Sequence, residues 1–343
     1  MLLEMTKENT LPAGFTTRPA TLADVETIIE MLNICSIAHI GRPDMTVNDM
    51  ESFFNMPGLD PATNTRLTFA PDGRLVGYHD LDDTRPIPVK IHVWGRTHPD
   101  FEGLGIGSAA MAWAEERARQ IVPRLPADVR VVMHSHTYNT VPQAAQLLQD
   151  QGMTLVRHYW HMAVELDKPQ PDPIWPADIT LTSFAEFNDL PALYRADVDA
   201  FQDHWGYVAE PEEEGIKRFQ HWIESDEEFE PGLWFLAMAG DEIAGLSLCR
   251  RRSYDDEEMG WVNVLAVRRP WRKQGLGLAL LQYSFQVFQE RGKKRAGLGV
   301  DAGSLTGATR LYEKAGMKPI RQNDLYEKVL RDGKDLVTTT IED

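Results

Sequence analysis

One order of segments is written twice in this chain, and a duplication of that size decides the architecture before any single element does. In the first pass Gly105 and Gly107 stand in a turn between a strand and a helix, and residues 144–153 read AAQLLQDQGM. In the second pass Gly275 and Gly277 stand in the same kind of turn, and residues 308–317 read ATRLYEKAGM. Each pass also carries a hairpin signal, Pro71-Asp72-Gly73 in one and Gly240-Asp241-Glu242 in the other, between apolar, strand-like runs. The fold class predicted is therefore α/β, with two tandem domains, each a mixed α+β sheet with helices on its faces. A length of 343 residues suits two cores better than one. Residues 168–176 hold four prolines and read as a semi-rigid linker. The expected boundaries are a domain at 14–167, a linker at 168–178 and a domain at 179–331. Residues 36–64, broken by Pro43, Pro57, Gly58 and Pro61, are expected to be irregular, and the stretch through Glu212–Glu214 and Asp226–Glu228 a polar, acidic excursion. The leader before Phe15 and the tail after Arg331 are expected to be disordered.

Charge narrows the choice of partner. Lys plus Arg number 35 against 52 Asp plus Glu, a net charge of −17, which opposes nucleic acid and anionic membrane. No apolar run approaches the roughly 20 residues of a membrane span, and the N-terminal residues lack the apolar core of a signal peptide. Cys35 and Cys249 lie far apart in apolar segments, which fits two buried thiols in a reducing compartment, with no metal cluster. A cytoplasmic protein, monomer or homodimer, is the expectation.

The chemistry concentrates in the second pass. Residues 262–267 form an apolar, β-branched run that reads as a buried strand. Pro270 ends it, Arg272-Lys273-Gln274-Gly275-Leu276-Gly277 turns the chain, and Leu276, Leu280, Phe285 and Phe288 continue at helical spacing. Free N–H groups at a helix start make a site for an anion such as a pyrophosphate. Arg268, Arg269, Arg272 and Lys273 reverse the acidic field there. No third glycine makes this a dinucleotide fingerprint, and no Gly-Lys-Ser/Thr makes it a Walker A loop.

The spacing Val267…Arg272-x-x-Gly275-x-Gly277 resembles the acetyl-CoA signature of the GNAT N-acetyltransferase superfamily, and the duplicated layout is similar to the tandem, mycothiol synthase-like arrangement. The resemblance covers most of both passes and is sharper in the second. It implies acetyl-CoA as cosubstrate, no metal, and direct transfer of acetyl to a primary amine of a small molecule. The backbone of Arg272, Lys273, Gln274, Gly275, Leu276, Gly277 and Leu278 would hold the pyrophosphate. Leu265, Ala266 and Val267 would pair with the pantetheine arm, and the Leu265 N–H would meet the developing oxyanion. Tyr312 would protonate the leaving thiolate. Many of these domains carry an asparagine seven residues before that tyrosine; Leu305 stands there, and Ser304 or Thr306 would substitute. Trp261 occupies the strand position where some carry a glutamate; Asp255, Asp256, Glu257 and Glu258 before the strand, and His204 as a proton relay, are the candidates for the base, with Trp205 and Tyr207 walling the acceptor pocket. In the first pass Glu102 replaces Arg272 and Leu148 replaces Tyr312, so that pass is expected to be catalytically degenerate. Alternatives are acetylation of a cysteinyl sugar thiol of the mycothiol type, acetylation of an antibiotic, and a non-catalytic acyl-CoA-binding scaffold.

Overall fold

The computed structural model describes residues 11–338. The expectation for the leader falls largely outside them. The described chain forms two compact units, 11–156 with 324–334, and 157–323 with 335–338. These limits cut the chain elsewhere than at the expected linker.

The first unit opens with β1 (Thr16–Arg18), α1 (Val25–Ile40), α2 (Val47–Phe54) and α3 (Pro61–Asn64). It continues with β2 (Thr65–Phe69), β3 (Leu75–Asp82), β4 (Lys90–Thr97), α4 (Ile106–Ile121), β5 (Val131–Tyr138), α5 (Pro142–Asp150) and the first residues of β6 (Thr154–Glu165). The second unit takes the rest of β6, then β7 (Ile179–Ser183), α6 (Phe184–Phe187), α7 (Leu190–Phe201), α8 (Glu212–Ser225), β8 (Trp234–Ala239) and β9 (Glu242–Arg250). After these come β10 (Met259–Val267), α9 (Leu276–Glu290), β11 (Arg295–Asp301), α10 (Ala308–Lys314) and the start of β12 (Lys318–Arg331), whose end belongs to the first unit.

Each unit is thus closed by a strand from the other pass. β12 lies beside β5, where Glu327 of β12 accepts from Arg130 at 2.5 Å and lies 2.9 Å from His134. In the second unit, β6 pairs antiparallel with β11 from Tyr159↔Asp301 to Glu165↔Arg295. The proline-rich stretch carries no regular structure and lies wholly inside the second unit. It runs along α9, where Gln289 donates to the carbonyls of Leu166 and Lys168 and the Trp175 ring meets Tyr283 at 6.1 Å.

The stretch expected to be irregular contains helices, and so does the acidic excursion. Thr46 and Asp49 form a reciprocal capping box that starts α2, which buries Met50 and Phe54. Glu212, Glu213 and Glu214 fill the first turn of α8, where the helix dipole favours negative charge. Its Trp222 ring stacks on Trp234 at 5.3 Å. The tail is also partly ordered: the Lys334 carbonyl accepts from the Arg130 amide at 2.8 Å, and the Thr338 carbonyl from Gly206 at 2.8 Å. Among the described residues no helix is long and apolar enough to cross a membrane.

Candidate active site

The site arises where two parallel strands part. β10 and β11 are paired from Met259↔Arg295 to Val262↔Leu298, yet β10 runs on to Val267 and β11 to Asp301. A β-bulge causes the change of course: the β10–β9 register shifts between Val262 and Val264, leaving Asn263 extra and exposed. Beyond the bulge the Arg268 amide donates to the Ala244 carbonyl on the β9 side at 3.0 Å. Alternation along the strand then turns the Ala266 backbone toward β9 and the Leu265 and Val267 backbones into the gap. Arg272 Nε takes the Val267 carbonyl there, at 2.9 Å. Leu265 N–H is left facing the opening.

At the end of β10 the turn has two residues in the left-handed region, Lys273 (φ 62°) and Gly275 (φ 89°). This curls the backbone so that successive amides point outward. Among the described residues no acceptor is found for the N–H groups of Lys273 through Leu278, and α9 has no side-chain cap. Gly277 is tightly packed against α10: a Cβ there would lie 3.0 Å from Leu311 Cδ1, and that side chain would have to give way. At Gly275 a Cβ would meet nothing within 4 Å, so that side of the loop is open.

The basic residues divide differently from the sequence expectation. Arg272 donates its amide to the Arg269 carbonyl (3.2 Å), so the free amides begin at Lys273. Its guanidinium bonds Asp203 at 2.5 Å and the Ala200 carbonyl at 3.0 Å. Arg269 reaches the same buried Asp203, Nε at 2.9 Å, and Arg268 bonds Asp199 at 2.6 Å. The Arg269 hydrogen bond, aided by Arg272, holds the Asp203 carboxyl at about 2. These arginines pin the loop to the end of α7, and Lys273 alone of the four has no ion pair among the described residues.

Tyr312 sits on α10 and is buried in the core cluster that also holds Leu280, Phe285 and Val300. Burial pushes its phenol up to about 12, so it stays protonated at neutral pH. The hydroxyl has no partner among the described residues, yet it is not among the sealed polar atoms. Ser304 is spent elsewhere: its hydroxyl is 3.1 Å from that of Thr306 and takes the Ala308 amide at 3.4 Å, starting α10.

The base candidates separate. Glu258 precedes β10 at the end where β10 and β11 are still paired, is exposed, and pairs with Lys294 at 2.5 Å. Seven residues of strand put it roughly 23 Å from Leu265, too far to act there. His204 lies on the site side, its ring 4.3 Å from Phe201, and burial followed by the Arg272 charge lowers its pKa. Trp205 carries the Arg157 guanidinium over its ring at 4.6 Å, and Arg157 approaches Asp301. Arg157 comes from β6, so the strand exchange places a first-pass residue at the second unit's cleft; a reading pass by pass could not find it. Asn263 and Asp197 were missed too. A bulge leaves no mark in sequence, and Asp197 looks like any charge on an amphipathic helix.

The first unit repeats the plan without the bulge. β4 and β5 pair from Lys90↔Val132 to His92↔His134 and then part, and Gly103 (φ 74°) and Gly105 (φ 87°) repeat the loop. But β4 pairs with β3 in one unbroken register, without a bulge. Gly95 stands opposite His79 there, and a Cβ at 95 would lie 2.3 Å from that ring. Glu102 at the loop accepts from Gln143 at 3.1 Å, and Leu148 is buried.

A splayed pair of parallel strands, a bulge at the fork and an amide-lined loop at a helix start define an acyl-CoA-dependent acyltransferase. Residues 190–317 match the family model described as Acetyltransferase (GNAT) family. A GCN5-related N-acetyltransferase from Sphaerobacter thermophilus superposes with a TM-score of 0.77 at 34% identity, over 95% of this chain and 99% of that one. The chain therefore belongs to the GCN5-related N-acetyltransferase (GNAT) family, as an acyl-CoA N-acetyltransferase with two GNAT units. A tandem GNAT protein from the clavulanic acid biosynthesis pathway shares the fold (TM-score 0.69, 14% identity, 93% and 100% covered). The mycothiol acetyltransferase of Thermobispora bispora is 29% identical over 262 residues, 74% of this chain and 80% of that protein.

Proposed function

We propose that the second unit transfers an acetyl group from acetyl-CoA directly to the primary amine of a small molecule. The observation that carries this is the gap beside β10, with the Leu265 amide turned into it and six unpaired loop amides at its end. Acetyl-CoA supplies an activated acetyl thioester. The amides of Lys273, Gln274, Gly275, Leu276, Gly277 and Leu278 suit its pyrophosphate, with the Lys273 ammonium adding charge. Leu265 and Val267 offer strand-like hydrogen bonds to the pantetheine arm, with Ala266 holding the strand to β9 between them. The Leu265 N–H is then placed to stabilise negative charge growing on the carbonyl oxygen. Tyr312, protonated and without a partner among the described residues, is the acid for the departing thiolate.

Among acceptors, the mycothiol acetyltransferases among the relatives favour an amine on a cysteinyl sugar thiol. The intact loop and Tyr312 in one unit speak for catalysis over a scaffold. The test is release of CoA thiol over a panel of amines, repeated with Tyr312→Phe in single turnover at saturating acceptor. The variant keeps the ring and should bind acetyl-CoA as before while transferring roughly 10²–10⁴-fold more slowly. An unchanged rate would assign the proton to water and leave Tyr312 a packing role.

A further inference from the structure

α7 lies over β9 and β10 with Leu193, Ala196 and Ala200 buried against them. One flank of the helix faces β9, because Asp199 bonds Arg268, which itself bonds the Ile243 carbonyl at the start of β9. The opposite flank, by the 3.6-residue period, carries Tyr194, Asp197 and Phe201: Tyr194 packs on Phe219 of α8, and the Phe201 end leads through His204 toward Asp301 at the end of β11. His204 continues this stripe, against Phe201 and within the fields of Arg272 and Asp301.

Asp197 is an anomaly on that wall. Neither carboxyl oxygen has a partner among the described residues; Oδ1 is sealed from solvent and Oδ2 is not. A buried carboxylate left unpaired costs stability, and such a residue at a cleft is a candidate for function. Burial alone raises its pKa, to about 7. The titratable groups on the elements packed against α7 are engaged with others. On α8, Arg218 pairs with Glu210, Lys217 with Glu213 and Glu214, and Glu224 accepts from Gln220; His221 has its own interaction. On β9, Glu242 pairs with Arg268 and Arg250 with Asp226, while β10 carries none over Met259–Val267.

We infer that Asp197 receives the acceptor's ammonium group and takes its first proton. This rests on the amine-acetyltransferase reading above. The ammonium loses one proton to Asp197, and the freed lone pair forms the C–N bond as the C–S bond breaks. Tyr312 gives its proton to the sulfur, the nitrogen's second proton restores the phenol, and Asp197 returns the first to water. The sum is one amide, one CoA thiol and one proton released.

The test is Asp197→Asn in the full chain, assayed at pH 7 with ethanolamine and with cysteine ethyl ester. Aliphatic amines have pKa values near 10.4 and α-amines about 7.7–8.0, so the first depends more on a base. The expected result is a loss in kcat/KM of roughly 10²-fold for ethanolamine and a distinctly smaller loss for the ester, with acetyl-CoA affinity unchanged. The urea midpoint should equal or exceed that of the wild type, since Asn removes an unpaired charge. Equal losses for both amines, no loss for either, or a lowered urea midpoint would each overturn the inference. If the wild type binds acetyl-CoA but acetylates neither amine, the acceptor reading fails. Carboxyl ¹³C NMR of the wild type with ethylammonium then decides the site separately. A resonance missing from the Asn variant that titrates near 7, and at lower pH with ethylammonium, sustains it; no response to ethylammonium refutes it.

Discussion

Lys273 shows at the scale of one residue how a local cost serves a site. Its φ of 62° is a conformation that glycine adopts freely, and the matching residue of the first unit is Gly103. A side chain there costs about 1 kcal/mol of backbone strain. In return an ammonium with no ion pair among the described residues is anchored beside the loop amides, while the neighbouring arginines are committed to Asp199 and Asp203. Lys273→Gly should therefore raise thermal stability slightly, by up to about 1 kcal/mol, and weaken acetyl-CoA binding, more so at low salt. Calorimetry against salt concentration checks this. Weakened binding with no salt dependence would show that the loop shape had changed and not its charge.

Among the elements, the strand exchange matters most. β11 is covered along one edge by β6 over Tyr159–Glu165, so a polypeptide that starts after the proline-rich stretch exposes an apolar strand edge. Residues 179–343 should therefore aggregate or lack a cooperative melt, whereas residues 157–323, which keep β6 and lack only the short C-terminal stretch of the second unit, should melt cooperatively; circular dichroism separates the two outcomes. The duplication, the hairpins, the Gly275 loop and Tyr312 were legible in sequence because periodicity and turn chemistry are local. Which sheet β6 and β12 would join was not, since a strand's pairing partner leaves no mark in its own residues. The same limit explains Glu258 and Arg272, and why the unit boundaries differ from the proline-rich stretch. Proline content marks a segment without a ladder and says nothing of where it lies; sequence proximity to β10 put Glu258 at the wrong end of it. The ion pairs of Arg272 depend on Asp203, 69 residues away.

The whole molecule carries two units of one plan, one with a bulge in the strand at its fork and one without. His79 and Asp80 of the first unit occupy buried positions that Ser247 and Leu248 hold in the second. Burial holds the His79 pKa at about 4 and raises that of Asp80 to about 8. The signs differ. His79 is neutral when folded, so its contribution is present above the unfolded value of about 6.5 and is lost as pH falls toward 4. Asp80 is protonated when folded, so its contribution is present below the unfolded value of about 3.9 and is lost as pH rises through about 8. Between 4 and 6.5 the two slopes oppose each other. From 6.5 to 8 the histidine no longer changes, and the buried carboxyl makes the first unit less stable with every step. Asp80→Asn cannot ionise, so whatever its stability at pH 6.5, the fall from 6.5 to 8 should flatten for the transition that includes this unit. Denaturant midpoints at three pH values across that window measure it, and a slope equal to the wild type's would mean that Asp80 is charged in the folded protein.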